Sequence, residues 1–201
     1  MTGADAGGDA PRAGGPPGGL VVISGPGGVG KGTVVRELAS RRDDVEVAVS
    51  ATTREPRPGE RDGVDYHFLD DATFTARIES GDFLEWAEFN GRRYGTLRSA
   101  VDGPREQGRT LVLEIEVQGA RQIRQRESEA VLVLVVPPSE EELLARLRAR
   151  GDDEETVARR LEIARWELAR ANEFDYQVVN DTVPGCVSAL EAILDRAGAT
   201  G

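Results

Sequence analysis

The sequence predicts an α/β protein: a core with a five-stranded parallel sheet, a small β-rich insertion and a helical lid. Three observations carry that prediction. Five short apolar runs are bounded by turn residues, and helical patterns separate most of them. The one interval that breaks the alternation, residues 51–98, holds most of the aromatic side chains.

The elements follow in order. Residues 1–19, almost wholly Gly, Ala, Pro and Asp, read as a disordered tail. The five strands are expected at 20–24, 45–50, 110–116, 130–136 and 176–180. Their carboxyl ends would place Ser24 and Gly25, Ser50 and Ala51, Glu114 to Glu116 and Asn180 around one crevice. Within the insertion, short extended pieces at 64–69, 83–89 and 92–96 surround a short helix near 71–79. Ser139-x-x-Glu142 is a capping box for a helix that runs to Arg150-Gly151, and Asp152-x-x-Glu155 opens a second one. That second helix carries Arg159, Arg160 and Arg165. Most of these arginines suit a solvated face with i,i+4 pairs such as Glu155–Arg159. Arg150 and Arg160 are the candidates for a lid.

Composition limits the function. One domain, or one core with insertions, accounts for 201 residues, and the net charge of −11 argues against a nucleic-acid or anionic-membrane partner held by bulk electrostatics. No apolar run is long enough to span a bilayer, and no signal peptide is evident. The single cysteine, Cys186, has no partner for an internal disulfide and reads as a buried thiol in a reducing cytosol.

The first strand leads into Gly25-Pro26-Gly27-Gly28-Val29-Gly30-Lys31-Gly32-Thr33 and then a helical stretch to Leu38. Strand, glycine-rich turn and helix form the context of a phosphate-binding loop, whose N–H groups point at phosphate oxygens. A flexible turn is the plain alternative. Lysine usage argues for the loop: of 25 Lys and Arg residues, only Lys31 is lysine. A compact ammonium reaches β- and γ-phosphates where a planar guanidinium fits badly. Downstream, Arg54 and Arg57 flank Pro56, and Tyr66 follows a turn at Asp62-Gly63, a set suited to clamping a phosphate monoester.

At this point the chain resembles the guanylate kinases. The motifs are "GPGGVGKGT", "SATTREPRPGERDGVDYHF", "FLEWAEF" with "YGT", an acidic pair before Gln118-Gly119, and "VVND", in the family's order from residue 20 to about 196. The resemblance implies a P-loop NTPase core (20–50), a GMP-binding insertion (51–98) and the remainder of the core (99–201), with a lid at about 145–165. It implies Mg²⁺-assisted transfer from ATP to GMP and dGMP in the cytoplasm, with small molecules as partners and no nucleic acid or membrane. By the same resemblance, Arg54, Arg57, Tyr66 and Tyr94 hold the GMP phosphate. Glu85 accepts from guanine N1–H and the 2-amine, Ser50 and Thr96 assist, and Glu116 joins the GMP site. Residues 25–33 and Asn180 hold ATP. Lys31, Arg54, Arg150 and Arg160 are the catalytic candidates. No direct protein ligand to the metal is expected; Glu114 and Glu116 reach it through water.

Three departures stand out. Glu114-Ile115-Glu116 replaces the usual Asp-x-Asp, Gly32 replaces a usual Ser, and the Arg150–Arg160 segment is one residue short. His67, the only histidine, reads as structural. Two other readings compete: a kinase for another small molecule, such as a sugar phosphate, and a non-catalytic protein-binding module of the kind that loses its phosphate loop.

Overall fold

The computed structural model describes residues 18–89, 91–149 and 151–198. The tail expected at 1–19 falls almost wholly outside these residues, and so does Arg150. The strands are Leu20–Ser24 (β1), Val45–Val47 (β2), Ala51–Thr52 (β3), His67–Phe68 (β4), Phe83–Phe89 (β5), Arg92–Leu97 (β6), Thr110–Glu114 (β7), Val131–Val136 (β8) and Tyr176–Val179 (β9). The helices are Lys31–Arg41 (α1), Asp71–Glu79 (α2), Ser99–Glu106 (α3), Val117–Arg126 (α4), Glu140–Arg148 (α5), Glu154–Leu168 (α6) and Val183–Gly198 (α7).

β2, β7, β1, β8 and β9 form a five-stranded sheet in that order, every pair parallel. Its central strands β7, β1 and β8 are apolar over most of their length because both faces are covered, whereas the edge strands β2 and β9 carry Glu46 and Gln177. Val21 and Ile23 point to one face and pack with Val34, Val35 and Leu38 of α1 and Val187 and Leu190 of α7. Leu20 and Val22 point to the other, with Val101 of α3 and Val117, Ala120 and Ile123 of α4. Cys186 is buried in the first of these cores.

The strand expected at 45–50 is cut short. β2 ends at Val47, and Ala51–Thr52 belongs to a second sheet of order β4-β3-β6-β5. Only the β3–β4 pair is parallel there; β3–β6 and β5–β6 are antiparallel. This insertion has its own core of Ala51, Phe74, Phe83 and Leu97, in which Phe74 stacks on Phe83 with centroids 4.4 Å apart. Arg93 fastens α2 to β6: its guanidinium donates to Thr75 Oγ1 and to the carbonyl and carboxylate of Asp71. His67 takes part through its backbone, donating to Ser50 O at 2.9 Å.

α5 and α6 form a hairpin closed by Leu143, Leu147, Val157 and Ala164. Ser139 caps α5 as expected, its hydroxyl accepting from Glu142 N–H at 3.2 Å. The cap of α6 differs from the expected Asp152. Asp153 accepts from Thr156 N–H at 2.7 Å, which frees Asp152 to pair with Arg160 at 2.7 Å. Among the described residues no helix is long and apolar enough to cross a membrane.

Candidate active site

β1 delivers the chain to the loop at the carboxyl end of the large sheet, between its neighbours β7 and β8. A β-carbon at Gly25 (φ 147°) would stand 2.2 Å from the Val135 carbonyl oxygen, so only glycine passes β8 here. Gly30 enters α1 in the left-handed region, at φ 97°. No side chain caps this helix end and no acidic residue lies in its first turn. Its first N–H groups therefore present the positive end of the helix to any anion in the loop.

Lys31 lies almost fully buried across this loop. Its ammonium donates to Gly25 O and is 3.5 Å from Glu116 Oε1. Behind the loop, Asn180 Nδ2 donates to Val29 O at 2.7 Å. Arg146 of α5 donates to the Val29 carbonyl at 3.3 Å and the Asn180 carbonyl at 3.1 Å. Asn180 thus holds the loop from beneath. Gly28 lies under Leu147, so the lid hairpin rests directly on the loop.

Across the crevice, Lys31, Ser50, Tyr66, Glu85, Tyr94, Glu114 and Glu116 line one cavity of about 170 Å³. Separate stretches of chain, far apart in sequence, converge there. Glu85, on β5, is 3% exposed, and its Oε1 accepts from Thr96 Oγ1 at 2.8 Å. Burial pushes its carboxyl up to about 7, while the hydrogen bonds from Thr96 and the charge of Arg126 pull it down. Tyr66 meets Tyr94 edge-on at 6.2 Å, and the Arg54 guanidinium lies 5.3 Å from the Tyr66 ring centroid. Burial, followed by the charge of Glu114, raises the Tyr66 hydroxyl above its usual range, so it stays a donor at neutral pH. Arg54 is neutralised by Glu60 at 2.9 Å, and Glu60 also accepts from the backbone N–H of Arg57 at 2.7 Å. The Arg57 side chain is exposed.

The acidic side of the cavity is crowded. Burial raises the Glu114 carboxyl; Lys31 draws it down and Glu116 raises it further. Glu167 of α6 is buried beside Glu116, and burial together with the Glu116 carboxyl holds it well above the usual carboxylate range. One oxygen each of Glu116 and Glu167 is buried without a hydrogen-bond donor. Arg160 is turned to Asp152 and does not line the cavity. Among the described residues no group of three or more His, Cys, Asp or Glu side chains is placed to hold a metal ion.

This geometry has relatives. The family profile described as guanylate kinase matches residues 18–197. The chain belongs to the guanylate kinase family. The guanylate kinase of Thermosynechococcus vestitus is 51% identical over 179 residues, 89% of this chain and 94% of its own. That of Thermobifida fusca is 51% identical over 176 residues, 87% of this chain and 90% of its own. The crystal structure of guanylate kinase from Anaplasma phagocytophilum superposes with a TM-score of 0.76 at 30% identity, covering 90% of this chain and 86% of that one. A guanylate kinase phosphorylates GMP to GDP with ATP as donor.

Two residues of this candidate site carry no clear signal in the sequence. Arg146 looks like an i,i+4 partner of Glu142, which it also is at 2.9 Å; nothing in the sequence points to its second set of bonds to the loop. Glu167 stands between Trp166 and Leu168 on a helix whose arginines read as a solvated face. The one hint is the apolar spacing of Val157 and Ala164, which puts position 167 on the buried side.

Proposed function

We propose that the cavity between the two sheets holds GMP (or dGMP), and that the glycine loop beside it holds ATP. The observation that carries this reading is Glu85, a buried carboxylate paired with Thr96 and facing a cavity with tyrosine hydroxyls at its wall. Guanine offers donors at N1 and at the 2-amine, which such a carboxylate accepts. Adenine offers neither, and seating it would leave a buried carboxylate without its donors, a cost of several kcal/mol. A sugar phosphate would give Glu85 no comparable partner.

Arg54, with Arg57, Tyr66 and Tyr94, binds the GMP phosphate and aims one of its oxygens at the γ-phosphorus of ATP. That oxygen forms the new P–O bond as the bond to the bridging oxygen of ADP breaks, so no enzyme-bound intermediate is needed. The acceptor phosphate is already anionic and requires no base. Lys31 leaves Gly25 O and Glu116 for the β- and γ-phosphates, with the loop amides around them. Arg150 and Arg160 come from the lid, whose closure also excludes water.

The residues present suit Mg²⁺. Glu114 and Glu116 supply oxygens, one of them buried without a donor, and Mg²⁺ prefers oxygen and keeps several waters. Bound through its water shell there, the ion would supply charge neutralisation of the β- and γ-phosphates. We place this activity in the cytoplasm and among small molecules only, consistent with a buried single thiol and a net charge of −11.

A coupled assay of ADP release tests the assignment. GMP should support turnover, AMP and UMP should support little, and omission of an acceptor should give almost none. Equal rates with AMP would overturn the role given to Glu85.

A further inference from the structure

α4 belongs to the core of the large sheet, yet one side of it is turned to the insertion. Gly119, Gln122 and Arg126 stand at i, i+3 and i+7 of this helix, on one face, and all three meet β5 around Glu85. Gln122 grips Trp86 at both ends: Nε2 donates to Trp86 O at 2.6 Å, and Oε1 accepts from Trp86 N–H at 3.3 Å. Arg126 donates to the Leu84 carbonyl. The backbone before and after Glu85 is therefore fastened to α4 by two side chains.

The Glu85 side chain passes between them, over Gly119. A β-carbon at position 119 would come within 2.4 Å of Glu85 Oε2 and 3.1 Å of its Cδ. Glycine is not needed here for its backbone freedom, since Gly119 is helical and outside the positive-φ region. Alanine is the better helix former at such a position. What glycine provides is space for a carboxylate.

We infer that α4 sets where Glu85 stands, with Gly119 a specificity-determining position and Gln122 and Arg126 positioning residues. The ligand concerned is a purine nucleotide carrying donors at N1 and C2. A methyl group at 119 meets the flexible end of Glu85 rather than backbone, so the carboxylate moves and the helix does not. This inference rests on the assignment of Glu85 as the guanine acceptor.

The test uses the full chain with Gly119→Ala, Gln122→Met and Glu85→Ala. GMP is compared with inosine monophosphate, which keeps N1–H and lacks the 2-amine. Gly119→Ala should melt no lower than the parent protein and bind ATP equally well. Its kcat/KM for GMP should fall at least about tenfold, and the preference for GMP over inosine monophosphate should shrink with it. A uniform loss for both acceptors, with the preference intact, overturns the inference. If Gly119→Ala gives no folded protein, Gln122→Met carries the same expectation and the same overturning result. Glu85→Ala separates the two ideas: a preference that survives it overturns the guanine assignment itself.

Discussion

The Glu114 carboxylate occupies the space in front of Gly32. A β-carbon at Gly32 would stand 3.4 Å from Glu114 Oε1 and 3.5 Å from Oε2. The loop position that lacks a hydroxyl thus has a carboxylate beside it, delivered from the end of β7 by a side chain one methylene longer than aspartate. Thr33, the next hydroxyl, is exposed.

That relationship predicts the metal dependence. Glu114→Gln should raise the Mg²⁺ concentration needed for half-maximal rate more than Thr33→Ala does, while GMP binding measured without ATP stays nearly unchanged. Metal titrations of the steady-state rate on both variants decide it. A raised requirement in Thr33→Ala alone would make the loop threonine the group that matters.

Lys31→Arg should fold and lose at least about a hundredfold in kcat. Lys31 bonds to Gly25 O and pairs with Glu116 in a nearly closed space, and a planar guanidinium has no room to turn there toward phosphates. Turnover within about threefold of the parent enzyme would sink the steric argument.

Arg54→Ala should raise KM for GMP and leave ATP affinity nearly unchanged in direct binding measurements. Arg54 lies against Tyr66 on the insertion side, and its hydrogen bond to Glu60 holds that carboxyl below the usual carboxylate range. A comparable loss of ATP affinity would put Arg54 at the other phosphate.

GMP affinity should rise with pH through about 7, where the Glu85 carboxyl stands. A protonated carboxyl has one acceptor fewer for guanine, so below that point affinity falls by up to about tenfold per pH unit. The GMP phosphate titrates near about pH 6 and adds its own slope, which Glu85→Gln retains alone. Calorimetric titrations of both proteins between about pH 6 and about pH 8 separate the two; parallel curves would remove Glu85 from the account.

The same group gives a stability slope of definite sign. Its carboxyl is raised from the ordinary 4.5, so the folded chain holds an extra proton between 4.5 and about 7. The stability contributed by this protonated form is complete below 4.5 and is lost as pH rises through about 7. Thermal melts of the unliganded protein across that window should flatten in Glu85→Gln.

The large sheet is legible because Val131–Val136 and Leu20–Ser24 are apolar at every position but one, Ser24, and are covered on both faces. A short run of that kind, rich in β-branched residues and bounded by turns, suits a buried strand far better than a helix. The loop is legible because its chemistry is local, held within nine consecutive residues. Ends are harder. Ala51 and Thr52 follow an apolar run directly yet belong to the other sheet, a choice made by pairing with β4 and β6 that no window around them contains. Asp152 and Asp153 are equally good caps by type, and the Arg160 side chain decides which one is free. Gly119 and Glu167 act on partners far away in sequence. A glycine inside a helical pattern is a hint of close approach, but it does not say what approaches.

The grip of α4 on β5 has a consequence beyond the nucleotide. Among the described residues β5 is the last strand of its sheet, bordered by β6 alone, and an uncovered border of that kind invites pairing with a strand from another molecule. Here Leu84 O and both backbone groups of Trp86 are taken by Arg126 and Gln122. An incoming strand would have to displace these bonds to dock along the middle of β5. The contact that aims a carboxylate thus also guards an aromatic-rich border against aggregation.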